Sequence, residues 1–379
     1  SDKGSFIKPG FLPLTVGPEG PTVAQAWAWG LNDVGSLGLG DTSIRSSPVQ
    51  IGTEAHWASL SASSPTTSGS AGVRTDGSLW TWGGNSHGGL GVGNTTNYSS
   101  PIQVGALTDW LQVAAGYKYM SGIKTDGTLW SWGRNYVGCL GLGDTVDRSS
   151  PVQVGALTTW AKVVTSYWFT LATTTDGKLY AWGYQGYGQL GVGNTTNYSS
   201  PVQVGALTTW ADFAAGRTHS LAVKTDGTLW SWGEGTLGGL GNGSTANINS
   251  PVQVGALTNW ASVVGGFKYS KAVKTDGTIW CWGQGSYGQL GQNSTTNYSS
   301  PVQVGALTTW LQVGGTYNST LAIKTDGTLW GWGNNGSGEL GDGSLSQRNS
   351  PIQVGGLTTW YEVSDNCNMT SSVFGTIVQ

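Results

Sequence analysis

Apolar residues alternate with small polar ones in short bursts along this chain, and the bursts recur. Thr228-Leu229-Trp230-Ser231-Trp232 has the period of two that marks a half-buried strand. Leu221-Ala222-Val223-Lys224 precedes it, and Asp226-Gly227 between them is the strongest short hairpin signal. It predicts a turn with positive φ at both central residues. Pro251-Val252-Gln253-Val254 opens with a residue that cannot donate to a ladder, which suits an edge strand. Trp260-Ala261-Ser262-Val263-Val264 reads as a further strand. No stretch carries the i, i+3, i+4, i+7 apolar pattern of a helix.

The same unit returns through the chain. Trp-x-Trp-Gly, once with Tyr in first place, begins at Trp27, Trp80, Trp130, Tyr180, Trp230, Trp280 and Trp330, spaced by 53 residues once and by 50 thereafter. Pro48, Pro101, Pro151, Pro201, Pro251, Pro301 and Pro351 keep the same beat, as do Trp57, Trp110, Trp160, Trp210, Trp260, Trp310 and Trp360. A period of this length means a solenoid, a propeller or an array. Four short antiparallel strands per copy, in seven copies, predict an all-β, seven-bladed β-propeller over residues 22–379. The first copy lacks the Thr-Asp-Gly turn that precedes the Trp strand elsewhere. The chain ends instead with Trp360-Tyr361-Glu362-Val363 and Ser371-Ser372-Val373-Phe374, which repeat the two strands before that turn. The N- and C-terminal strands are therefore expected to share one blade, with the C-terminal pair inside, closing the ring and removing two exposed edges.

Composition narrows the function. Gly supplies 63 of 379 residues and Trp 21, while charged residues make up only 10%. So much aromatic surface argues for a packed core rather than disorder. A net charge of −3 offers no basic stripe for nucleic acid. No apolar run reaches the roughly 18–20 residues of a membrane span, and residues 1–21 lack a secretory pattern, so no membrane insertion is expected. Three Cys and three His suit neither a disulfide framework nor repeated metal sites, and no cofactor is expected.

Ala215-Gly216-Arg217-Thr218-His219-Ser220-Leu221-Ala222 followed by Leu229-Trp230-Ser231-Trp232-Gly233, with Gly188-Gln189-Leu190-Gly191-Val192-Gly193, resembles the regulator of chromosome condensation repeat family. The resemblance covers residues 22–379 and implies the same seven-bladed propeller. It also implies a comparison with the family's best-known member, a nucleotide exchange factor for the small GTPase Ran that docks on chromatin. The wedge used there for exchange finds no room in a strict 50-residue beat, and residues 1–21 hold only Lys3 and Lys8 in place of a basic tail. The near-identity of the copies is more similar to family members encoded by bacteria and bacteriophages.

The regular polar positions read as structure. Asp76, Asp126, Asp176, Asp226, Asp276 and Asp326 precede Gly at matching corners, where the turn itself demands Asp. His56, His87 and His219, like Cys139, Cys281 and Cys367, sit at unrelated positions, so no catalytic set can be assembled and the protein is expected not to be an enzyme.

Differences among the copies are more informative. One variable segment links the first and second strands: Tyr117, Lys118 and Tyr119; Tyr167, Trp168 and Phe169; Arg217 and His219; Phe267 and Tyr269; Tyr317. The other opens the Gly-rich connection, with Tyr136, Tyr184 and Tyr187. The first and third connections of an up-and-down blade lie on the same side, so both segments are expected on one face, rich in the residue types of binding hot spots. Residues 1–21, with Phe6, Ile7, Phe11 and Leu12, are expected to form an arm, packed on its own propeller or gripping other structural subunits. The expected function is a non-enzymatic structural or binding protein. The first setting is a bacteriophage virion, on capsid or tail, meeting a host-surface glycan or protein. A bacterial carbohydrate- or protein-binding module is the alternative, and a guanine nucleotide exchange factor a third.

Overall fold

The computed structural model describes residues 24–53, 56–63, 67–364 and 371–378. Among them are seven four-stranded antiparallel sheets and no α-helix. Six blades follow one another in sequence, II to VII, at residues 57–103, 110–153, 160–203, 210–253, 260–303 and 310–353. In blade V, for instance, Trp210–Ala215, His219–Lys224, Leu229–Gly233 and Ile248–Gln253 run from the inner strand to the outer. Blade I is composite. Its order from inside is Trp360–Val363, Ser372–Val378, Ala24–Gly30, Arg45–Gln50, and the junction pairs without a break from Ala24↔Val378 to Gly30↔Ser372. The chain ends thus close the ring as the missing turn implied. The arm residues Phe6, Ile7, Phe11 and Leu12 lie outside the described residues.

Two local expectations are corrected. At the Asp-Gly turn only glycine has positive φ: Gly227 is at +76° and Asp226 is not in that region. Lys224 N donates to Thr228 O (3.0 Å) and Gly227 N to Lys224 O (2.9 Å), which makes a three-residue loop with a bulge glycine rather than a two-residue turn. Asp226 keeps an ordinary negative φ, and its carboxylate accepts bonds from Thr228 N and Oγ1. The outer strand starts at Ile248, before Pro251, not at the proline. Pro251 sits within an irregular register between Gly233↔Ile248 and Ser231↔Val252, so the ladder needs no donor from it.

The core lies between blades. Leu221, Val223, Leu229 and Val254 of blade V meet Trp260, Val263 and Trp282 of blade VI, and equivalent clusters fill the other boundaries. The second Trp of each Trp-x-Trp is fully buried and packs edge-on or tilted against the Trp that opens the inner strand, as with Trp232 and Trp210 at 6.0 Å and 53°. Each such ring removes ~150–250 Å² from water, an upper bound of roughly 4–6 kcal/mol. Outside blade III the indole Nε1 reaches into the preceding blade: Trp232 donates to Gln189 O (2.9 Å) and Trp282 to Gly239 O (3.0 Å). Gly241 shows why this contact requires glycine, since a Cβ there would lie 2.5 Å from Trp282 Nε1.

Candidate recognition face

The turns between second and third strands lie on one face of the disc. There one motif recurs in blades III, V, VI and VII. Trp130 Nε1 donates to Thr128 Oγ1 (2.8 Å), whose hydroxyl donates to Asp126 Oδ1 (2.7 Å); Trp230, Thr228 and Asp226 repeat it. Ser78 takes the Thr place in blade II. The hydroxyl and backbone bonds from Thr128 hold Asp126 below the usual carboxylate range, and its neighbours behave alike. A basic side chain caps the indole: Lys224 lies 3.7 Å from the Trp230 ring centre, and Arg74 lies 4.1 Å from that of Trp80. The Asp series is therefore turn structure. Blade IV departs from it, with Thr174 in place of Lys, Lys178 in place of Thr and Tyr180 in place of Trp; Asp176 is bonded by Thr174 and Lys178 instead.

On the opposite face the two variable segments meet. Arg134 N donates to Lys118 O (2.8 Å) and Tyr184 N to Trp168 O (2.9 Å), so each Gly-rich connection is tied to the first loop of its own blade. Residues 117, 167, 217, 267 and 317 form a ladder across five blades. Tyr117 stacks on Tyr167 at 4.3 Å, the Arg217 guanidinium lies 4.6 Å from Tyr167 and 4.8 Å from Phe267, and Phe267 stacks on Tyr317 at 4.1 Å. Beside it, Trp168 contacts Tyr167 (4.5 Å) and stands perpendicular to both Tyr136 (5.4 Å) and Tyr184 (5.5 Å). Tyr187 adjoins Tyr184 at 6.1 Å. Tyr136 and Tyr187 are exposed, while Trp168, Tyr184 and Lys118 are half-buried. Arg134, over the ring of Tyr136 at 4.3 Å, belongs with this cluster. Partial desolvation beside the neighbouring rings pushes the Tyr136 phenol up to about 12, against the pull of Arg134.

Four residues expected on this face are not on it. Tyr119, Phe169, His219 and Tyr269 are buried between blades, because they open the second strand with their side chains turned toward the next blade. Tyr119 Oη donates to Phe169 O (2.6 Å) and Tyr269 Oη to Ser319 O (2.7 Å). His219 Nε2 faces Ser270 Oγ at 2.9 Å. The Ser270 hydroxyl gives its proton to Gly239 O (2.7 Å), so the histidine is the donor and carries its proton on Nε2. Burial holds the His219 pKa down to about 4. Cys139 and Cys281 are also buried, and burial pushes both thiols up, Cys281 to about 12. Among the described residues no group of three or more His, Cys, Asp or Glu is placed to hold a metal ion.

Sequence variation located the loops but not their join. The continuous ladder, the Arg217 sandwich and the Trp-Thr-Asp relay were missed. A 50-residue interval between positions 117, 167, 217, 267 and 317 was the available signal, since it puts them at one radius.

The family model for the regulator of chromosome condensation (RCC1) repeat matches residues 24–67, 76–121, 126–173, 176–223, 226–273, 276–323 and 326–365. The chain belongs to that family. Among solved structures of similar fold, yeast RCC1 (Prp20) bound to Kap60 has a TM-score of 0.85 at 18% identity, over 100% of this chain and 94% of that one. Prp20p from Saccharomyces cerevisiae, a structure whose report also concerns binding to Gsp1p and histones, gives 0.82 at 18% identity, over 94% and 92%. Human WBSCR16 gives 0.81 at 19%, over 93% and 98%. At such identities the likeness is one of fold, and RCC1 propellers as a class suggest a binding or regulatory role.

Proposed function

We propose that this RCC1 propeller is a non-enzymatic recognition protein that meets a partner surface with the loop face centred on Trp168. The observation that carries this reading is the cluster of Trp168, Tyr136, Tyr184 and Tyr187. Other copies hold Lys118, Thr218, Lys268 and Asn318 at the Trp168 position, so the fold does not require an aromatic there. Rings with one apolar face and a polar tip, set beside Arg134, suit glycans and protein hot spots. A surface glycan is the favoured partner, because sugar rings stack their C–H faces on exposed aromatics. The setting proposed for this recognition is display on a bacteriophage virion or on a bacterial surface. In either case, residues 1–21 would be the natural tether to other subunits.

The test is binding of the intact protein to immobilised cell-surface glycans, beside its Trp168→Ala variant. Saturable binding that falls at least about tenfold in the variant, with melting unchanged, is the expected result. Equal binding by both proteins would overturn the reading. Nucleotide exchange on a small GTPase is the second reading, favoured only by the yeast fold relatives. Faster release of bound nucleotide from a GTPase would put it first.

A further inference from the structure

The cations of the loop face fall into two groups. In the Gly-rich connections, Arg45 is ion-paired with Asp41, Arg148 with Asp144 and Arg348 with Asp342, at 2.5, 2.6 and 2.9 Å. Lys268 is paired with Glu234 at 3.1 Å. Lys118, Arg134 and Arg217 differ. Among the described residues, no carboxylate forms an ion pair with any of the three. Each lies against a ring instead: Lys118 Nζ is 5.3 Å from the centre of Tyr117, Arg134 4.3 Å from that of Tyr136, and Arg217 4.6 Å from that of Tyr167. Tyr117, Tyr167, Trp168 and Tyr136 touch in that order, so the three charges border one continuous patch.

The backbone and the rings hold these charges in place. Lys118 has φ +66°, in the left-handed region that L side chains rarely adopt, whereas Trp168, Thr218, Lys268 and Asn318 at the same place in other copies do not. Its N donates to Ser68 Oγ (3.0 Å) and its O accepts from Arg134 N (2.8 Å), which ties the Lys118 and Arg134 backbones together. Partial burial opposes ionisation of the Tyr117 phenol, yet neighbouring groups, Lys118 and Arg134 among them, hold it below its ordinary value. Arg217 lies between Tyr167 and Phe267, and its Nε is buried without an acceptor. Rings on both sides leave the in-plane N–H fork as its means of meeting a partner.

Three like charges gathered without a counter-ion repel one another, and an anion brought among them relieves that repulsion. A carboxylate or sulfate also matches the arginine fork, with two parallel N–H···O bonds. A neutral sugar on Tyr136 and Trp168 would leave all three charges unanswered. We propose that the partner of the Trp168 face is an acidic glycan, whose carboxylate or sulfate is held by Lys118, Arg134 and Arg217. This rests on the reading of that face as a glycan site and adds the charge of the ligand to it.

The test uses the full chain and immobilised glycans in sets that differ in an acidic group: lactose beside sialyllactose and sulfolactose, and chitotetraose beside the hyaluronan tetrasaccharide. A polyglutamate peptide is the non-sugar control. In at least one set the acidic member should bind about tenfold or more tighter than the neutral one, and tighter than the peptide. Sialyllactose and the hyaluronan tetrasaccharide report a carboxylate, and sulfolactose a sulfate. Lys118→Gly/Arg134→Gln should bring the acidic-to-neutral ratio close to one without lowering the melting temperature, because glycine suits the left-handed position. Arg217→Gln should reduce the same ratio. Trp168→Ala should weaken acidic and neutral members alike and keep the ratio. Equal binding of acidic and neutral members, lost in Trp168→Ala, overturns the proposal and leaves the glycan reading standing. A ratio unchanged in both cation variants overturns it as well. Preference for the peptide overturns it in favour of an acidic protein segment, and failure of every glycan overturns both readings.

Discussion

The two faces of the disc are built by the same 50-residue unit, yet one is nearly constant around the ring and the other changes at every blade. On the turn face, Asp226, Thr228, Trp230 and Lys224 satisfy one another, and their counterparts do so in three further blades. Changing any one residue there strands a partner, so the motif is held by the fold's own chemistry. On the loop face, the position of Trp168 is filled elsewhere by Lys118, Thr218, Lys268 or Asn318, and each is compatible with the same backbone. The difference teaches where to look for function: side chains that vary in kind without altering the blade are free to serve something outside it.

Four substitutions would break or sharpen that comparison. The largest effect belongs to neither face. Trp232→Ala opens a cavity between blades IV and V and should cost about 3–5 kcal/mol in denaturant unfolding. A loss under about 1 kcal/mol would mean that the blade boundaries are not the core.

Second is the pH dependence set by His219. Its pKa is about 4 when folded against 6.5 when unfolded, so the unfolded chain binds more protons between those values. Its contribution is complete above pH 6.5 and declines as the pH falls toward 4, by at most about 3 kcal/mol. His219→Tyr, the residue carried at Tyr119 and Tyr269, should flatten that part of the stability curve. An unchanged slope in the variant would place the histidine in water.

Third, Thr228→Val deletes the middle of one relay and should cost about 1 kcal/mol by thermal unfolding. A neutral result would make the uniform face ornamental. Smallest is Trp168→Ala, expected to change stability by no more than about 1 kcal/mol, because the ring is half-buried among other loop aromatics. A loss comparable to that of Trp232→Ala would show that the loop cluster is a second core.

The propeller, its seven copies and its closure in blade I were legible because each rests on periodicity: three series in register, and a missing Thr-Asp-Gly turn at one end with a surplus strand pair at the other. The loop face was legible only in part. Tyr117, Tyr167 and Trp168 lie in the loops of that face, Tyr167 buried within the ring ladder, whereas Tyr119, Phe169, His219 and Tyr269 belong to the blade boundary. The two groups are adjacent in the chain, and their fates divide where the strand begins, since side chains from there on turn alternately toward the two neighbouring blades and are buried on both sides. A run such as Tyr167-Trp168-Phe169 is aromatic throughout and hides that alternation. The ion pair between Lys162 and Asp212, on the inner strands of blades IV and V, was illegible for another reason: its members lie 50 residues apart and meet only because inner strands of successive blades are neighbours.

The central claim is that the repeated side chains of the turn face serve the fold while those of the loop face address a partner. The most direct measurement takes unfolding free energy and glycan binding on the same two variants, Thr228→Val and Tyr136→Ala/Trp168→Ala/Tyr184→Ala. The account expects the first to lose stability and keep binding, and the second to keep most of its stability and lose binding. Parallel losses in both variants, or binding retained by the triple variant, would contradict it.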